Sequence, residues 1–313
     1  MINFRYHVVS LVAVLMALAV GIALGGGPLQ RTAAGVTGGG DAEALVASQA
    51  KLAHLQEGTA FADAFTDATA DGLVAKALKD RAVTLLTLPG AQDADVTRLT
   101  DMVDRAGGHV TMRAAVGQKL LDVGNRQLVS ELAAQMASSA GKDIDLPADV
   151  SGYDQMALLV AHTLTTSKSG GDSVDEAGQS ILAGLRTADL LTVAGDGGDR
   201  GSLVLVVAGD PYGSADERAG AGSILSTLLS ALDAHSNGVV LAGPVSSAAD
   251  DGLVGELRAD PSTAGSVSSV DATERTAGAV VAVLALREQA AGKSGHYGTS
   301  SASDGVMPGA KGD

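Results

Sequence analysis

The sequence contains no cysteine and no tryptophan. Without thiols there are no disulfides, no cysteine-bound zinc or iron–sulfur centres and no thiol nucleophile. The compartment stays open, because a thiol-free chain tolerates oxidising and reducing surroundings alike. Aromatic residues make up only 2% of the 313 positions, so the core must be built from Ala, Val and Leu. That favours helices laid on a buried sheet over an aromatic-lined pocket. Basic residues are also scarce: 21 Lys and Arg against 36 Asp and Glu give a net charge of −15. Such a chain repels phosphate backbones and shows no basic stripe interleaved with aromatics, so no nucleic-acid partner is expected.

Catalytic signatures are missing too. There is no G-x-S-x-G elbow, H-E-x-x-H pair, Walker loop or G-x-G-x-x-G following a strand. The glycine-rich Gly195–Gly201 lies between two expected strands with no helix behind it, so it reads as a hairpin-like or surface loop rather than a phosphate cradle. The chain therefore reads as a non-enzyme. An extracytoplasmic enzyme would need an acid–base or nucleophile constellation that the sequence does not display.

What the sequence does have is hydrophobic residues at 46% and an opening of MINFRYHVVSLVAVLMALAVGIALGGG. Val8 to Leu24 carries no charge, and with Gly25–Gly27 the run reaches twenty residues. At about 1.5 Å per residue this spans roughly 30 Å, one hydrocarbon core. The run is longer than the apolar stretch of a signal peptide, although Ala23-Leu24-Gly25 also offers an acceptable cleavage site. The expectation is a single-pass anchor over residues 1–27. Arg5 places the N-terminus in the cytoplasm and the rest outside. Ala13, Ala17, Gly21 and Gly25 recur every four residues and form one small-residue face suited to helix pairing, a spacing that chance also produces in an Ala/Gly-rich chain.

Residues 28–80 read as a flexible tether followed by a short helical or coiled-coil stalk. Leu45, Leu52 and Leu55 fit a heptad that Gly58 weakens. From residue 81 to 291, short apolar runs alternate with helical stretches. This predicts an α/β extracytoplasmic domain: a doubly wound, mostly parallel, Rossmann-like sheet with helices on both faces. Helix starts are expected at Ser173 with Glu176, at Asp271 with Glu274, at Asp93 and at Asp250. Residues 292–313, rich in Gly and Ser, read as a disordered tail.

In such sheets ligands sit outside the carboxyl ends of the strands. Those ends carry Asp93, Asp210, Tyr212 and Ser246, the candidate lining of any pocket; the plainer reading is turns and helix caps. No cofactor is evident. The six histidines are scattered singly, and His109 and Met112 point to opposite faces of a strand. His296, in Gly295-His-Tyr-Gly298, is the one metal candidate.

Three stretches carry a resemblance: FRYHVVSLVAVLMALAVGIALGGG, AVTLLTLPGAQDADVTRLTDMVDRAGGHVTMRAAVG and SSVDATERTAGAVVAVLALREQAAGKSGHYGTS. In that order they resemble the actinobacterial MctB-like family over nearly the full length. The match is weakest at Thr32–Thr69, where members carry a more charged coiled coil. The resemblance implies copper efflux or homeostasis in the cell envelope, with an outer-membrane location, and copper as a ligand on that ground alone. The same family includes the cell-division protein SteB, which implies a scaffold binding the membrane protein SteA in daughter-cell separation and control of peptidoglycan hydrolysis. One spanning helix and strands of four to seven residues do not build a pore. An anchored homodimer or homo-oligomer is therefore expected in place of a self-sufficient channel.

Overall fold

The computed structural model describes residues 39–140, 144, 146–147, 150, 152–195 and 198–310. The expected anchor and the Ala13, Ala17, Gly21, Gly25 face lie outside the described residues. The chain divides into two units at Ala62/Asp63. In the first unit, helix α1 (Gly39–Val74) begins and runs on through Gly58 without a break. Leu45, Leu52 and Leu55 stand on it largely exposed.

The second unit is the α/β body expected from the alternating runs. Its elements after α1 are β1 (Ala82–Thr87), α2 (Asp93–Arg105), β2 (His109–Val116), the short α3 (Gln118–Leu121), a 3-10 turn at Val123–Asn125, and α4 (Arg126–Ala140). Then come α5 (Gly152–Leu164), α6 (Glu176–Thr187), β3 (Leu191–Val193), β4 (Leu203–Val207), α7 (Ala215–Ala234) and β5 (Val239–Ala242). The chain closes with α8 (Leu253–Ala259), α9 (Pro261–Ala264), β6 (Ser268–Val270), α10 (Thr276–Gln289) and β7 (His296–Tyr297).

The seven strands form one sheet in the order β3-β2-β1-β4-β5-β6-β7. All neighbours are parallel except the edge pair β2/β3. Strand β4, LVLVV, is buried at every position because it lies under helices on both faces. Alternation sorts its side chains. Val204 and Val206 join a core with Leu159, Leu228 and Leu232 from α5 and α7, while Leu203, Leu205 and Val207 join Leu99, Val103 and Val283 from α2 and α10. Ala70 and Val74, at the end of α1, belong to the second of these cores.

Several local expectations are corrected. Of the hairpin-like or surface loop expected at Gly195–Gly201, the hairpin is corrected: β3 pairs with β2 and β4 with β1, so the two flanking strands are not partners in the sheet. Helix α6 is capped by Asp175, whose Oδ1 accepts the Gly178 N–H at 2.7 Å, and not by a Ser173/Glu176 box. Asp93 is already inside the first turn of α2, behind Gln92, and α8 starts after Gly252, so neither Asp93 nor Asp250 caps a helix. Asp271 does not cap α10, which begins at Thr276 behind Arg275. A capping box does form at α7, where Ser214 and Glu217 bond reciprocally.

Asp271 has a different task. It is fully buried and meets Arg258, 2% exposed, at 2.9 Å. Arg258 also donates to Ser269 Oγ at 2.8 Å and to the Tyr297 carbonyl at 2.8 Å. The Thr299 N–H and hydroxyl donate to Asp271 at 2.6 and 2.9 Å. This network fastens β7, within the stretch read as a tail, to β6. The GHYG segment is shaped by the same contacts. A Cβ on Gly295 would lie 2.2 Å from the Tyr297 hydroxyl, and one on Gly298, at φ +136°, would lie 2.3 Å from the Asp271 carboxyl.

Candidate functional site

The strand order reverses between β1 and β4, the switch point where a doubly wound sheet leaves a crevice at its carboxyl edge. Here the loops after these two strands close on each other. A Cβ on Gly209 would lie 2.0 Å from the carbonyl carbon and oxygen of Gly90. The open space lies to one side, as a cavity of about 380 Å³ between the α3 segment after β2, the Gly209–Gly213 loop after β4, and the first turns of α7.

Of the strand-end candidates, Asp210 and Tyr212 line this cavity. Ser246 donates its hydroxyl to Asp210 Oδ1 at 2.5 Å, so it holds that carboxylate without lining the space itself. Asp93 is exposed on α2 and is not among the lining residues. No sequence signal marks the cations lining the cavity, because Lys119 and Arg218 sit inside helices of ordinary composition.

Arg218 is tied on two sides. Nη2 donates to Asp251 at 2.6 Å and Nη1 to the Gly213 carbonyl. Its Nε is buried and has no hydrogen-bond partner among the described residues. Lys119 reaches Asp189 at 3.4 Å and is half exposed. The carboxylates are more fully engaged. Asp122 accepts from the Gly124 N–H and the Asn125 amide, and Glu217 accepts from Ser214. The Ser214 backbone N–H and hydroxyl hold Glu217 below the usual carboxylate range, while burial pushes the Tyr212 phenol up. Acidic residues in the first turn of α7 make its N-terminus a poor phosphate site, since they already occupy the positive end of the dipole.

His296 lies elsewhere, on β7. Its Nδ1 is 3.0 Å from the Ser269 hydroxyl, and its backbone N–H donates to Asp304 at 2.8 Å. Among the described residues no group of three or more His, Cys, Asp or Glu side chains is placed to hold a metal ion. Burial is the main cause that lowers the His296 pKa, assisted by Arg258 and opposed by Asp304. The sign follows from linkage. An unfolded histidine takes up its proton near about pH 6.5 and the folded one only below that, so its contribution to stability holds above about 6.5 and is lost on acidification. Urea midpoints measured at decreasing pH should therefore fall more steeply for the parent chain than for His296→Gln.

Comparison with known proteins adds to this geometry. A family model described as "Copper transport outer membrane protein, MctB" matches residues 1–308. Among curated proteins, the "Copper transporter MctB" of Mycobacterium tuberculosis (strain ATCC 25618 / H37Rv) is 28% identical over 307 residues, covering 96% of each chain. The protein of the same name from Mycobacterium leprae (strain TN) is 27% identical over 310 residues, covering 95% of this chain and 96% of the relative.

Proposed function

Because the chain belongs to the MctB family of copper transport outer membrane proteins, we propose that it acts in copper homeostasis at the cell envelope, as a membrane-held oligomeric module that does not form a pore by itself. The observation that carries the reading is the family match from residue 1 to 308, which takes in both the apolar opening and the GHYG end. Copper is cargo in this reading, not a resident cofactor.

The argument against a lone pore is physical. Among the described residues no helix is long and apolar enough to cross a membrane. The central strands β1, β4 and β5 are buried in one sheet between two cores and do not show the in/out alternation of lipid-facing strands. Val8–Leu24 is the one stretch with the length and apolarity of a spanning helix. It would hold the body outside the cytoplasm, with Arg5 on the inner side. The exposed Leu45, Leu52 and Leu55 of α1 supply apolar surface for self-association.

Deletion of the gene with two phenotypes scored together tests this. Copper sensitivity restored by the full chain is the expected result. Normal copper tolerance combined with defective daughter-cell separation would overturn it in favour of a SteB-like scaffold that binds a SteA-like membrane partner.

A further inference from the structure

Resting on the oligomeric part of the function just stated, we propose that two copies of this chain meet in parallel through the exposed face of α1 formed by Phe61, Phe65, Ala68 and Gly72. The chain has only three phenylalanines, and two of them stand here, one helical turn apart and 74% and 62% exposed. Side chains of this size gain most by leaving water, and from this position they add nothing to the core. Another side of α1 is already fastened. Ala70 and Val74 are buried in the second core, Asp63 pairs with Arg275 at 2.5 Å, and Asp71 pairs with Arg105 at 2.6 Å. Phe65 therefore points outward from a fixed stretch of helix, which lowers the ordering cost of docking.

Spacing and charge name the occupant. Phe61, Phe65, Ala68 and Gly72 are four, three and four residues apart, the alternating d and a positions of a heptad, a pattern that meets its own copy in a parallel pair. Glycine is a poor helix former, and nothing within 4 Å of a Cβ added at Gly72 explains it inside the chain. Against a second helix it has a use. With Ala68 it lets two backbones close in, while the phenylalanines interlock a turn earlier. The flanking Ala62, Ala64 and Thr69 carry no charge, so the strip is neutral in a chain of net charge −15. Two like-charged copies can meet there without opposing carboxylates, whereas neither an acidic nor a basic partner gains an ion pair. The parallel sense follows from two N-terminal anchors in one membrane.

Because the chain has no cysteine, one introduced thiol reports alone. In the full chain in mild detergent, Ala68→Cys oxidised with diamide should form a disulfide-linked homodimer at least about tenfold faster than Asp67→Cys, which lies off the strip, since thiols bridge only where Cα atoms come within about 7 Å. Sedimentation of the double variant Phe61→Ala/Phe65→Ala should show dimerisation weakened at least about thirtyfold, the effect of losing a central anchor. Gly72→Leu should weaken it too, by holding the backbones apart. All these positions are exposed, so circular dichroism of each variant should match the parent. Unchanged dimerisation in the double variant, equal cross-linking rates for Asp67→Cys and Ala68→Cys, or capture of a different protein by Ala68→Cys in native membranes would overturn the proposal. If only the triple variant Leu45→Ala/Leu52→Ala/Leu55→Ala yields monomers, this face is wrong and the oligomeric reading stands. A parent chain that is monomeric at every concentration overturns both.

Discussion

Asp271→Ala is expected to be the most damaging single substitution in the α/β body. It removes the carboxylate paired with Arg258, whose side chain is 2% exposed, and strands a guanidinium away from water. Breaking a buried ion pair from one side costs about 3–5 kcal/mol, because the surviving charge keeps its desolvation penalty and loses its partner. Asp271 also accepts from Thr299, and Arg258 holds the Tyr297 carbonyl, so β7 should come away from β6. In a body of this size the melting temperature should drop by roughly 10 °C. Thermal denaturation followed by circular dichroism checks this. The paired replacement Arg258→Met with Asp271→Leu should be milder than Asp271→Ala alone, since no lone charge remains. Equal damage in the two would mean that shape, not charge, governs the site.

The second large effect is expected from Gly209→Ala. The new methyl would sit 2.0 Å from the Gly90 carbonyl, and that obstacle is backbone, which cannot swing aside. The loops after β1 and β4 would have to part at the switch point, at a cost of about 3 kcal/mol, the upper range for overpacking. Gly58→Ala is the internal control. Nothing lies within 4 Å of its added methyl on α1, and alanine is the better helix former by about 1 kcal/mol. Urea denaturation should therefore move in opposite directions for the two variants.

These two glycines illustrate what the sequence makes legible. The sheet could be read because β1, β4 and β5 are continuous apolar runs between helices, a pattern with few other solutions. Closure of the crevice by Gly209 could not, because it depends on two loops more than a hundred residues apart. The same holds for Asp271: a serine- or aspartate-led start three residues ahead of a glutamate has the form of a cap, and only the position of Arg258 diverts it. Strand β7 is not legible, because two residues carry no periodicity and its support comes from side chains on β6 and α8. At the cavity, Asp210 and Tyr212 were legible as strand-end residues. Lys119 and Arg218 were not, since nothing local separates a cavity-facing cation from a solvated one. The family resemblance is legible in three stretches, the apolar opening, the first βαβ unit and the segment ending in GHYG, and the family match spans residues 1–308.

If this body serves copper homeostasis without itself conducting the ion, as proposed, the purified full-length chain adds no copper permeability to a bilayer. Copper release from sealed liposomes reconstituted with it is the decisive measurement. Leakage no faster than from protein-free vesicles is expected at every protein-to-lipid ratio. Release that rises with protein density and saturates with copper would contradict it.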